Sequence, residues 1–140
     1  MSNIKEFWIV RKEGIPIFSY SPNDELNSNL IGSFFSAIQT FASNLSSDSK
    51  DNFVSSISLG NSVFNFLINK RFEIFFILKS EDKISQKMAQ KHLREIETIF
   101  LEEFREELES FDGDVTLFKT FKSRFEDYFK DNFTKLKGLW

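Results

Sequence analysis

Apolar and polar positions along this chain alternate with two different periods, and each change of period marks an element. Phe7-Trp8-Ile9-Val10 is an unbroken apolar run, Arg11-Lys12-Glu13-Gly14 is polar and turn-like, and Ile15-Pro16-Ile17-Phe18-Ser19-Tyr20 resumes an extended pattern, which predicts a β-hairpin. Pro16 has no N–H to give to a ladder, so the second strand belongs at a sheet edge, while the first, apolar on both faces, belongs inside. After the turn cluster Ser21-Pro22-Asn23-Asp24, the residues Leu30, Ile31, Phe34, Phe35, Ile38, Phe41, Ala42 and Leu45 fall at helical spacing. They span roughly 140° of a helical wheel with Leu30 and Phe35 at opposite rims, and so wide a stripe is expected to leave its rims partly exposed.

A Ser/Asn/Asp loop over residues 43–52 leads into three extended segments with polar breaks at Gly60-Asn61 and Asn69-Lys70-Arg71. The segment Phe53 to Leu59 carries serines on one face, Val63 to Ile68 is intermediate, and Ile74 to Leu78 is apolar on both faces, so burial rises toward the fifth strand. With the first and fifth strands both central, the economical order is 2-1-5-4-3, an antiparallel-dominated sheet with the Pro-bearing and Ser-bearing strands outside. Strands one and five are then expected to be parallel neighbours, joined through the crossover that the first helix supplies. Ile84 to Phe111 is one long helical pattern whose stripe drifts. Ile84, Met88, Ile96 and Ile99 share one side, while Phe100, Phe104, Leu108 and Phe111 are rotated by about 100°. Its first half is expected against the sheet and its second half against another helix. Asp112-Gly113-Asp114 ends it, and Phe118, Phe121, Phe125, Tyr128 and Phe129 predict a last helix that the tail, residues 133–140, extends.

A length of 140 residues suits one domain, residues 1–140, and leaves no room for a second core. Eighteen basic against 21 acidic residues give a net charge of −3, which removes any bulk electrostatic pull toward nucleic acid. The absence of cysteine excludes disulfides, a thiolate metal site and a cysteine nucleophile, and fits a reducing compartment. No apolar run approaches the roughly 20 residues of a membrane span, and the polar start Met1 to Glu6 does not resemble a leader, so a soluble cytoplasmic protein is expected.

The order β-β-α-β-β-β-α-α, five strands with one helix on one face and two on the other, is similar to that of the longin domain of the profilin-like superfamily over nearly the whole chain. Its local anchors are Gly14-Ile15-Pro16-Ile17-Phe18-Ser19-Tyr20, similar to the G-x-P-apolar second strand of longin and roadblock proteins, and Asn69-Lys70-Arg71-Phe72-Glu73-Ile74-Phe75-Phe76-Ile77 entering the last strand. Roadblock proteins place a helix before the first strand, whereas Phe7 begins the sheet here almost at once, so the chain resembles the longin branch. The resemblance implies an α+β fold and a non-enzymatic adaptor in vesicle traffic or small-GTPase regulation. Its partner would be a small Ras-like GTPase or a longin/roadblock chain, a homodimer included. The chain ends at Trp140 without a SNARE heptad segment or a membrane anchor, so the resemblance further implies a free-standing subunit of the tethering, adaptor or GTPase-platform kind. An archaeon with eukaryote-like trafficking genes would suit such a protein.

Groups able to do chemistry are few. His92 is the only histidine and stands on a helix without Cys or a second His, so no metal site or Ser/His/Asp triad has enough members, and a partly exposed helix residue is the plainer reading. No G-x-S-x-G, G-x-x-x-x-G-K-[ST] or G-x-G-x-x-G motif occurs, and neither a catalytic residue nor a metal or cofactor is expected. Glu95, Glu97, Glu102, Glu103, Glu106, Glu107, Glu109 and Asp112 against Arg94 and Arg105 make an acidic helix surface. This reads as a solvated face before an acid/base or cation site, matched internally by the basic residues from Lys119 onward. Phe133, Leu136, Leu139 and Trp140 read as packing on the domain, with peripheral membrane contact as the alternative.

The partner surface is expected on the first helix and the serine-bearing edge strand, at Leu30, Phe35, Ser55 and Ile57, because an edge strand offers unpaired backbone groups; a merely solvated edge is the alternative. A charge at Phe35 or Ile57 is expected to weaken partner binding and leave the fold cooperative. Three other readings stand beside the adaptor. They are a PAS- or GAF-like sensory domain with a small apolar ligand in the Phe-rich core, an enzyme without a recognisable motif, and a profilin-like actin binder.

Overall fold

The hydrophobic periods translate into eight elements in the expected order: β1 (Ile4–Arg11), β2 (Pro16–Tyr20), α1 (Ser28–Asn44), β3 (Ser56–Leu59), β4 (Ser62–Asn69), β5 (Ile74–Ser80), α2 (Gln86–Glu109) and α3 (Phe121–Phe129). A short 3-10 segment at Val115–Thr120 leads into α3, dividing what the sequence pattern presents as one helix from Phe118 onward. This computed structural model describes residues 4–20, 28–44, 56–80, 86–110 and 115–129, so Ser55 and the tail over 133–140 lie outside the described residues.

The strands form one sheet in the order β2-β1-β5-β4-β3, with Pro16 on an edge strand as its missing N–H requires. Every neighbouring pair is antiparallel, including β1 and β5, where Trp8 faces Ile77 and Ile9 faces Phe76. This corrects the expectation of a parallel β1–β5 pair. The crossover through α1 makes β3 run in the same direction as β2, at the opposite edge of the sheet. Two hairpin reversals then bring β5 in the direction of β2, opposite to β1.

Alternation along the strands sends two sets of side chains to two faces. Phe7, Ile9, Ile74, Phe76 and Leu78 point to one face and pack with Leu93, Ile96, Phe100, Phe104, Phe118, Phe121 and Phe125 beneath α2 and α3. The drift of the α2 stripe has the predicted consequence. Phe100 reaches Phe76 of the sheet and also Phe118 and Phe121, and Phe104 touches only the latter pair among these, because the helix turns its apolar side from sheet to helix along its length. Met88, assigned to the sheet-facing side, is instead exposed, and Ala89 and Leu93 are buried in its place. Trp8, Val10, Phe64, Phe66, Phe75 and Ile77 point to the other face, where α1 adds Ile31 and Phe35.

One close approach sets how α1 lies. A Cβ on Gly32 would stand 2.3 Å from the Gly14 carbonyl oxygen, so only glycine lets the helix backbone press onto the β1–β2 turn. Gly14 itself has φ +97°, the left-handed region that favours glycine. On the same face of the sheet the Glu6 carboxylate and Lys79 ammonium form an ion pair at 2.9 Å, both side chains almost wholly buried.

Candidate functional site

The helix α1 reads SNLIGSFFSAIQTFASN and carries no charged residue, and neither do β3, SISL, or β4, SVFNFLIN. In a chain that is 28% charged, these three elements are free of charge, and α1 reaches β4 through Phe35 against Phe64 and Phe66. Surfaces that meet other proteins are depleted of charge at their centres and enriched in aromatic residues. Here Phe34 is 46% exposed and Phe41 65% exposed, and because they are seven residues apart they share one flank of α1, with the half-buried Ile38 between them. The opposite flank is polar: Ser36 Oγ donates to the Lys12 carbonyl and Thr40 Oγ1 donates to the Ser36 carbonyl at 3.0 Å.

The strand β3 closes the sheet beside this helix. Among the described residues it pairs with β4 alone, and Ile57, opposite Phe64, is half-buried on the α1 face against the Trp8 and Phe64 cluster. Ser56 and Ser58 alternate with it and are exposed. An edge with small polar side chains and an apolar neighbour leaves backbone groups accessible for strand addition.

The four sequence-predicted residues divide. Ile57 sits at the expected edge. Leu30 lies in the first turn of α1, and its side chain, like Ser55, is outside the described residues. Phe35 is not at a rim: it is fully buried, with its ring 5.2 Å from Phe64 and 4.7 Å from Phe66. The physical reason is Gly32. The helix is rolled so that this residue, silent in a hydrophobic pattern, faces the β1–β2 turn, which moves the burial axis onto Phe35 and Gln39 and turns Phe34 and Phe41 outward. Phe34 and Phe41 were legible as apolar positions but not as the exposed ones. The absence of any charge from α1 was the available signal.

Beneath the other face, His92 is also not the partly exposed residue expected. It is 7% exposed, and its Nδ1 lies 2.7 Å from the Tyr128 hydroxyl, which donates its one proton to Glu95 Oε1 at 2.8 Å. His92 Nδ1 is therefore the donor to Tyr128. Burial lowers the His92 pKa, partly opposed by Glu95, and burial followed by the Glu95 hydrogen bond raises that of Tyr128. This chain of bonds ties α2 to α3. Along the same pair of helices Arg124 approaches Glu102 at 3.8 Å and Glu103 at 4.0 Å, so part of the acidic surface is matched internally. Among the described residues no three His, Asp or Glu side chains converge to hold a metal ion, and no helix is long and apolar enough to cross a membrane.

Strand order, the single helix on one face and the helix pair on the other define the longin/roadblock fold. The chain matches MglB of Myxococcus xanthus with a TM-score of 0.55 at 14% identity, over 69% of this chain and 83% of that one. It also matches a chain from the structure of the mammalian SRP receptor with a TM-score of 0.53 at 13% identity, over 97% of this chain and 93% of that one. At these identities the likeness is one of fold. No protein-family model matches the sequence, and no curated protein is significantly similar to it.

Proposed function

We propose that this chain is a non-enzymatic adaptor whose uncharged α1–β3 face docks a small Ras-like GTPase or a second longin/roadblock chain, in membrane traffic or GTPase regulation. The observation that carries the reading is the pair of exposed rings, Phe34 and Phe41, on a helix without charge, in a fold whose last strand among the described residues, β3, is an edge. Burying the exposed part of two such rings supplies roughly 1–2 kcal/mol each before ordering costs, and a partner strand on β3 adds hydrogen bonds that fix register. Net charge contributes little to this contact, so affinity should vary weakly with salt. The longin/roadblock fold supports this class of partner.

The test is capture by the purified chain of small GTPases from the same genome, each loaded with GDP or a GTP analogue, with the eluates also searched for longin and roadblock chains. A partner retained by the native chain and lost with Phe34→Asp and Phe41→Asp together supports the reading. A partner retained equally by both proteins moves docking off this face, and no retained partner in either nucleotide state overturns the adaptor reading.

A further inference from the structure

The charges of α2 run against its own backbone dipole. A helix favours acidic side chains near its N-terminus and basic ones near its C-terminus, yet the first turn here holds Lys87 and no acid, and the last holds Glu106, Glu107 and Glu109 and no base. From Gln86 to Arg94 the fixed charges are Lys87, Lys91 and Arg94, all basic and all exposed. From Glu95 to Glu109 every charge is acidic except Arg105.

Little within the molecule answers the basic end. Lys87, Lys91 and Arg94 form no ion pair among the described residues, and the next two carboxylates along the helix are engaged elsewhere, Glu95 with the Tyr128 hydroxyl at 2.8 Å and Glu97 with the Asn69 amide at 3.0 Å. The acidic end is matched only in part. Glu102 and Glu103 share one guanidinium, Arg124, and Glu109 pairs with Arg71 at 3.2 Å, which leaves Glu106 and Glu107 without an ion pair among the described residues. Lys87, Lys91, Arg94, Glu102 and Glu109 lie within about 80° of one another on a helical wheel, with Glu106 about 40° beyond, so both signs share one solvent-facing stripe of a helix about 36 Å long.

We propose that this stripe docks a second copy of the chain, with the two α2 helices antiparallel. A stripe that is basic at one end and acidic at the other is its own complement about a two-fold axis, because reversal lays each basic end on the other copy's acidic end, twice per dimer. The interval from Lys87 to Lys91 equals that from Glu102 to Glu106, so the register that sets Lys91 opposite Glu102 also sets Lys87 opposite Glu106. Arg105, the lone base of the acidic half, then falls opposite the exposed Met88 and not opposite a cation. Antiparallel pairing also sets the two helix dipoles head to tail. A single helix face places the contact at the small, transient end of interfaces, and its attraction is screened by salt. The stripe lies across the sheet from α1, so this dimer is distinct from the proposed docking face and does not rest on the adaptor reading.

The experiment is sedimentation of the full chain over a range of concentrations at about 20 mM and about 300 mM sodium chloride, repeated for two charge-reversed chains. One carries Lys87→Glu with Lys91→Glu and the other Glu102→Lys with Glu106→Lys; all four positions are exposed, and circular dichroism checks that each chain is folded. The native chain should show a monomer–dimer equilibrium whose dissociation constant rises at least about tenfold at the higher salt. Each reversed chain should be monomeric alone. Mixed, the two should associate again, because one then presents acid and the other base at both ends of the stripe. Phe34→Asp with Phe41→Asp should leave the equilibrium unchanged. A native chain that stays monomeric at the lower salt, association indifferent to salt, a dimer of either reversed chain alone, folded reversed chains that remain apart when mixed, or loss of association with the Phe34 and Phe41 changes would each overturn the proposal.

Discussion

Phe100 and Phe34 stand on helices that lie against opposite faces of one sheet, yet Phe100 is wholly buried and Phe34 keeps 46% of its surface in solvent. The α2–α3 face has two helices to cover the strands, and its outer surface is charged. The α1 face has one helix, which carries no charge. A single helix is about 10–12 Å across with its side chains, and strands are spaced about 4.7–4.9 Å, so one helix cannot roof five strands. The closed face stores stability, and the half-covered one keeps aromatic surface in solvent, where the proposed docking falls. Phenylalanine serves both ends, so its number says little; which side of its helix it occupies says more.

The sharpest test of that difference is a pair of neighbours. Phe35→Asp places a carboxylate in the closed part of the α1 layer and should lose more than the roughly 3–5 kcal/mol of a Phe→Ala truncation, leaving little folded protein by circular dichroism. Phe34→Asp, one residue away, should change the unfolding free energy from urea curves by no more than about 0.5 kcal/mol while weakening partner capture. If the two variants unfold alike, the roll of α1 described here is wrong. On the other face, Phe100→Ala or Phe121→Ala should cost about 3–5 kcal/mol in urea unfolding, since each ring touches several others.

Gly32→Ala acts on the roll directly. Its Cβ must push α1 off the β1–β2 turn, which should cost about 1–3 kcal/mol and shift the amide resonances of residues 31–40 together; unchanged spectra would mean that the contact is not tight. Tyr128→Phe removes one hydrogen-bonded tie between α2 and α3, the hydroxyl that bridges His92 Nδ1 and Glu95, for about 1–3 kcal/mol, measured by the same urea curves.

The smallest effect is a pH slope. The His92 pKa is depressed in the folded chain below its ordinary 6.5, so the unfolded chain binds more protons in that interval. Stability contributed by the neutral, buried imidazole is therefore present above about 6.5 and is lost as pH falls through the lowered folded value. Urea midpoints taken downward from pH 7.5 should fall in the native chain and fall less in His92→Gln. Equal slopes would remove His92 as the source.

Much of the fold was legible in the residues themselves. Pro16 placed β2 at an edge, the two-faced apolar runs at Phe7 to Val10 and Ile74 to Leu78 placed β1 and β5 inside, and the drift from Ile96 to Phe104 carried α2 from sheet to helix. These are local consequences of period and backbone chemistry. The β1–β5 direction was not local: it depends on how the crossover orients β3, and the sequence pattern is the same for either sense.

The proposed docking face was legible only as a region. The backbone groups of an edge strand, together with the longin resemblance, pointed to α1 and β3, and Ile57 lies on that strand. The choice between Phe35 and its neighbours Phe34 and Phe41 was made by a contact between two glycines that no hydrophobic pattern records, because a missing side chain leaves no apolar signal and still decides how closely two backbones approach. The buried His92–Tyr128–Glu95 chain likewise joins residues far apart in the chain. What the sequence determined by itself was which elements form and which faces are apolar, since both follow from near neighbours. The roll of α1, the sense of the β1–β5 pair and the juxtaposition of polar groups were decided by tertiary packing, because each depends on the distance between segments and not on their composition.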